Sequence, residues 1–148
     1  MYRHILIPTD GSERARRAVA HGLSLAKAVG AKVTVVTVEA SFNVYDVPAS
    51  RENLMTAAFD EYSKHAREHA TSILDGIANE AKAVGVPCET LQVIQDHTYQ
   101  AIVATAKEKG CDLIVMASHG RSGLAAVLLG SETRKVLTHT KVPVLVVR

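Results

Sequence analysis

The feature that most constrains this chain is a repeated change of hydrophobic period. Five short runs, His4–Ile7, Lys32–Val38, Glu89–Ile94, Leu113–Ala117 and Val144–Val147, are rich in Val, Ile and Leu, and most lack polar alternation. Runs of that kind mark strands covered on both faces, as in a parallel sheet. The segments between them have helical spacing. Glu13–Val29 sets Ala15, Val19, Leu23 and Ala26 three or four residues apart and stops at Gly30. Arg51–Val84 carries Leu54, Phe59, Tyr62, Ala66, Ile73, Leu74, Ile77 and Ala81 on one side and is closed by Gly85 and Pro87. Thr98–Lys109 ends at Gly110, and Glu132–His139 ends before Pro143. The order β-α-β-α-β-α-β-α-β predicts an α/β fold, a parallel sheet with helices on both faces and right-handed crossovers.

At 148 residues the chain fits a single domain, 1–148. Its 47% hydrophobic content supports a real core, and with 4% aromatics and no Trp that core is aliphatic and offers no base-stacking platform. A net charge of +2 argues against nucleic acid or a membrane surface as partner. No apolar run approaches membrane-spanning length, and the first is too short for a signal peptide. Cys88 and Cys111 each open a strand and read as buried free thiols rather than a disulfide framework. Localisation in the cytoplasm is the expectation.

Ligands of parallel sheets bind beyond the carboxyl ends of the strands, where strand order reverses. Two loops there carry chemistry. Pro8-Thr9-Asp10-Gly11-Ser12 follows the first strand and sets a carboxylate and two hydroxyls at the sheet edge, although the same residues suit a plain strand-to-helix turn with Asp10 or Ser12 as cap. Met116-Ala117-Ser118-His119-Gly120-Arg121-Ser122-Gly123 follows the fourth strand, and Gly130-Ser131-Glu132-Thr133 opens a helix. Phosphate needs amides it can approach closely, and glycine before a helix N-terminus provides them. His119, beside that loop, is read as stabilising it by a hydrogen bond.

Other signals carry less. His65-Ala66-Arg67-Glu68-His69 matches a zinc-peptidase pattern but lacks an evident third ligand, and reads as a solvated helix face. Arg14, Arg16 and Arg17 read the same way. The phosphate-loop pattern G-x-x-x-x-G-K-[ST] and the dinucleotide fingerprint G-x-G-x-x-G are both absent. Ala40–Ser50 reads as an extended loop, either a flap over a site or a surface connector. Val142–Val147 would make an exposed pairing template if it lay at a sheet edge, so a second subunit is expected to cover it.

The whole chain resembles the universal stress protein family, within the adenine-nucleotide α-hydrolase-like superfamily. The resemblance rests on the opening His4–Ser12 and on Ser118-His119-Gly120, Gly130-Ser131 and Val142–Val147. The ATP-binding branch carries Gly, two residues, Gly, nine residues, then Gly and Ser or Thr. Here Ala117 stands at the first glycine, Gly120 at the second, Arg121–Leu129 are the nine, and Gly130-Ser131 closes the motif.

The resemblance implies a three-layer α/β/α sandwich, four main helices and a five-stranded sheet of order 3-2-1-4-5. It implies ATP, ADP or AMP as ligand, with Mg as an option near Asp10. Pro8, Thr9 and Asp10 would approach ribose or phosphate, and Val38 the adenine. Met116 and Ala117 would line base and ribose, while Gly120, Arg121, Gly130, Ser131 and Glu132 would surround the phosphates. It also implies a homodimer through Val142, Val144, Leu145, Val146 and Val147, acting as a regulatory stress-response module on a further protein partner. The alternatives are a nucleotide-free interaction module, which Ala117 favours, and a slow ATP hydrolase.

Overall fold

A computed structural model of the chain describes residues 1–41, 52–119 and 128–148. The elements are β1 (His4–Pro8), α1 (Glu13–Val29), β2 (Lys32–Glu39), α2 (Glu52–Val84), β3 (Cys88–Ile94), α3 (Thr98–Glu108), β4 (Leu113–Ala117), α4 (Ser131–His139) and β5 (Val144–Val147). Every expected strand and helix is present, with ends displaced by one residue where they differ. The expected loop Ala40–Ser50 lies outside the described residues from residue 42 onward.

All strand pairs are parallel, in the order β3-β2-β1-β4-β5. The chain runs outward from β1 through β2 to β3, then crosses back to place β4 on the other side of β1. The strand order therefore reverses between β1 and β4, and the crevice beyond Pro8 and Ala117 is where such sheets hold ligands.

The pleat sorts the core into two layers. Ile5 and Ile7 of β1 join Val33, Val35, Leu113, Val115 and Ala117 under α1 and α2, which contribute Val19, Leu23, Leu74 and Ile77. Leu6, Val36, Ile114 and Met116 face α3 and α4, which contribute Ile102, Ala106 and Val136. Ile5, Leu6 and Ile7 are wholly buried, each contributing about 1.5–3 kcal/mol. Buried on both faces, β1 has no room for polar alternation, hence its continuous apolar run.

The helices start and settle for local reasons. Ser12 caps α1, its hydroxyl accepting the Ala15 amide at 3.2 Å. Gly22 lets α1 lie close on β1: a β-carbon there would overlap Ile7 Cδ1 and sit 3.0 Å from Ile7 Cγ1.

The long second helix corrects one expectation. Phe59 and Tyr62, expected on the packed side, are 50% and 37% exposed, whereas Leu74, Ile77 and Ala81 are buried. The cause is length. With 33 residues α2 spans about 50 Å, while the eight residues of β2 span only about 26 Å. The helix's first half therefore overhangs the sheet, and the Tyr62 hydroxyl donates to the Ala40 carbonyl at 2.8 Å. The cysteines are free thiols; Cys111 is buried as expected, but Cys88 on edge strand β3 is only half-buried. Among the described residues no helix is long and apolar enough to cross a membrane.

Candidate functional site

The β1 side of the crevice is a rigid turn. Thr9 continues the sheet, its amide donating to the Val36 carbonyl at 2.9 Å. Thr9 Oγ1 accepts the Gly11 amide at 3.2 Å, and Asp10 Oδ1 accepts the Ser12 amide at 2.9 Å. Short side chains closing on amides two residues ahead hold the turn without help from the sheet. Gly11 has φ 76°, and a β-carbon on it would come 2.7 Å from Ile73 Cδ1 of α2, so both conformation and space call for glycine. Both readings of this loop hold: it is a capped turn, and it presents the half-buried Asp10 at the sheet edge.

The β4 side is bolted to α4. The pairing Leu6↔Ile114, continued by two residues, brings Pro8 level with Met116. Ser118 donates its amide to the Val147 carbonyl at 2.8 Å and accepts the Gly130 amide at 2.6 Å. Thr133 Oγ1 donates to the Ala117 carbonyl at 2.9 Å and lies 3.3 Å from the Ser118 oxygen. His119 Nδ1 meets Ser118 Oγ at 3.1 Å, the loop-stabilising bond expected of it. Its other ring nitrogen, Nε2, is buried with no hydrogen-bond partner among the described residues.

Gly130 is the N-cap of α4 with φ −66° and ψ 161°, which any residue could adopt. Proximity is what favours glycine: a β-carbon would lie 3.2 Å from the Ser118 oxygen and 3.3 Å from His119 Cα. The cap makes no side-chain bond, and the first amide to reach a helical acceptor is that of Arg134, on the Gly130 carbonyl at 3.1 Å. The amides of Ser131, Glu132 and Thr133 come before it, at the positive end of the helix dipole.

The remaining expected site residues divide. Val38 is half-buried at the end of β2, against the core layer that contains Met116. Ala117 belongs to the opposite layer, so its methyl packs toward α1 and α2. The Glu132 carboxylate turns to α3, accepting the Tyr99 amide at 2.9 Å, and pairs with Lys135 at 3.3 Å. Gly120 and Arg121 lie outside the described residues. Thr133 was not anticipated; its only sequence signal is a hydroxyl three residues after the Gly130 cap, a weak one.

Of the rejected signals, His65, His69, Arg16 and Arg17 are exposed, whereas Arg14 is half-buried. His65 is exposed and 3.6 Å from Glu61, and Arg17 pairs with Glu13 at 3.3 Å on the surface. Among the described residues no three His, Cys, Asp or Glu side chains gather as a metal site.

A family model described as the universal stress protein family matches residues 1–148. The chain belongs to the universal stress protein family. Among its relatives is a universal stress protein of Thermus aquaticus, 35% identical over 150 residues, with 100% of each chain covered. The solved structure of the hypothetical protein MJ0577 superposes with a TM-score of 0.80 at 30% identity, covering 99% of this chain and 96% of that one. A universal stress protein solved in complex with cAMP superposes at 0.71 with 28% identity, covering 99% and 97%. The sheet order and helix placement of this chain are therefore those of the family.

Proposed function

We propose that this universal stress protein binds an adenine nucleotide, ATP before ADP or AMP, in the crevice between the β1–α1 turn and the start of α4. The observation that carries the reading is the Gly130 cap. It leaves the first amides of α4 without helical acceptors, and it sits so close to Ser118 and His119 that a β-carbon would crowd their backbone. Bare amides at a helix N-terminus, beside a glycine that clears the approach, suit phosphate. The relative solved with cAMP supports an adenine nucleotide as the class of ligand.

Within that reading Ser131 and Glu132 offer backbone amides, and Gly120 and Arg121 belong to the same phosphate loop by sequence. Pro8, Thr9 and Asp10 form the β1 wall, with Val38, Met116 and Ala117 toward the base and ribose. Asp10 is the carboxylate on hand for Mg. The alternative of a nucleotide-free module drew on Ala117, but a methyl packed in the α1 layer gives it little support. Turnover is expected to be slow or nil: Asp10 is the candidate base, and its Oδ1 is engaged by the Ser12 amide. The proposed role is a cytoplasmic, homodimeric regulatory module whose nucleotide state is read by another protein.

The test is calorimetric titration of nucleotide-free protein with Mg-ATP, with GTP as control. Saturable binding near one ATP per chain, with GTP silent, is the expected result. No heat at millimolar ATP would overturn the reading in favour of the nucleotide-free module.

A further inference from the structure

Glu132 is the second residue of α4, among the amides assigned above to phosphate, and a carboxylate there would repel a nucleotide that it faced. It is engaged elsewhere. Oε2 accepts the amide of Tyr99, the second residue of α3, at 2.9 Å, and Oε1 lies 3.3 Å from Lys135 Nζ. The start of α3 needs this partner. Its N-cap, His97, makes no side-chain hydrogen bond, and its first turn holds no acidic residue. One carboxylate from α4 thus serves the positive end of α3. Two more α4 side chains on the same helix face meet Tyr99: Lys135 Nζ lies 5.6 Å from the ring centroid and the His139 ring 4.8 Å away.

We propose that Glu132 is a positioning residue for the anion site. By capping α3 from α4 it ties the two helix starts together, fixes the first turn of α4, and turns its own charge away from the phosphates. The inference rests on the nucleotide reading. It differs from a direct role for Glu132 on phosphate or metal, because the side chain works through Tyr99 and the ligand meets only the backbone. The requirement is for an acceptor oxygen, which an amide also supplies.

The experiment compares Glu132→Gln with Glu132→Ala in two measurements. The first is hydrogen exchange at the Tyr99 amide in ligand-free protein. The second is calorimetry with ATP, in the presence of Mg and of chelator. Glu132→Gln should keep the Tyr99 amide protected and bind ATP within about twofold of wild type, with the same dependence on Mg. Glu132→Ala should expose that amide and weaken ATP binding roughly five- to tenfold. Rescue by Gln is the signature, since a ligand contact through charge would be lost in both variants. Undiminished binding by Glu132→Ala overturns the proposal, as does equal loss in both variants or an altered Mg dependence in Glu132→Gln. A wild type that binds no nucleotide overturns the nucleotide reading and this proposal with it, whereas the other adverse outcomes leave that reading standing.

Discussion

The amide of Gly130 donates to the Ser118 carbonyl at 2.6 Å, closing the end of β4 onto the first turn of α4. The same carbonyl oxygen would lie 3.2 Å from a β-carbon at Gly130. The backbone angles there suit any residue, so Gly130→Ala introduces crowding without conformational strain. The bond to Ser118 should lengthen, with a stability loss of about 1 kcal/mol. ATP affinity should fall at least about tenfold, because the amides beside the cap are displaced. Urea denaturation and calorimetry separate the two effects. Wild-type affinity in this variant would mean that the anion does not sit at the start of α4.

The close approach of α1 to β1 makes a sharper stability prediction. Gly22→Ala sets a methyl against Ile7 Cγ1 at 3.0 Å and Val115 Cγ1 at 3.6 Å, and overlaps Ile7 Cδ1. Overpacking costs about 1–3 kcal/mol, and the gain in helix propensity offsets up to about 1 kcal/mol. The net effect should be a loss. Ile7→Val removes the overlapping Cδ1, so Gly22→Ala should be less harmful in that background. A double-mutant cycle by chemical denaturation measures the coupling, and strict additivity would contradict the packing described.

These positions also show how much could be read from residues alone. The strands were legible because β1, β2 and β4 are buried on both faces, so Val, Ile and Leu dominate their sequences without clean polar alternation. The Asp10 turn and the Gly130 helix start were legible because tight turns and close approaches restrict residue choice. The packed side of α2 was legible only where it covers sheet: helical period marks a face, but not how far the sheet extends beneath it, so Phe59 and Tyr62 were placed wrongly. The direction of the Ala117 methyl needed the strand register. The engagement of Glu132 needed the approach of α3, whose first turn lies 33 residues upstream in sequence. Thr133 was missed because one hydroxyl in a helix's first turn is too common to single out.

His4 predicts how stability depends on pH. Its Nε2 meets Thr34 Oγ1 at 2.7 Å inside the fold. Burial, reinforced by nearby Lys32, holds the imidazole below its usual 6.5. A lowered folded value means that the unfolded chain takes up the proton first. The stabilisation is complete above about 6.5 and declines as pH falls from there to the folded value. Unfolding in urea at a series of pH values should show this decline in wild type and a shallower one in His4→Gln. A steeper decline in the variant would contradict the assignment. Asp112 adds a separate step at lower pH. Burial opposes its charge, but the amides of His4 and Arg3 donate to the carboxylate and hold it below its usual 3.8, so its contribution is lost as pH falls through that lowered value.

The thiols should differ in reactivity. Burial, aided by Asp112, pushes Cys111 up to about 11, and burial alone raises the half-buried Cys88. The thiolate is the reactive form, so both should be slow at neutral pH, and Cys111 should react only when the fold opens. A chromogenic disulfide should label Cys88 in the native protein and reach Cys111 at the rate of unfolding. Fast native labelling in the Cys88→Ser variant would contradict the burial of Cys111.

The edge strand carries the last prediction. Leu145 pairs with Val115 and points to the same layer, yet it is 41% exposed, whereas Val115 is fully buried. Among the described residues β5 pairs only with β4, so its outer edge offers backbone groups for pairing beside apolar side chains. If the proposed homodimer forms through Val142, Val144, Leu145, Val146 and Val147, a charge at Leu145 must be buried or the dimer must open. Leu145→Lys should therefore shift wild-type dimers to monomers in sedimentation at micromolar concentration. Val84→Lys, at the end of α2 and 39% exposed, is the control and should leave the dimer intact. Exposed positions rarely change stability by more than about 0.5 kcal/mol, so a monomeric Leu145→Lys should still melt near wild type once dimer linkage is allowed for. A dimer that survives Leu145→Lys would place the interface elsewhere, and a monomeric wild type would leave the β5 edge open to another protein.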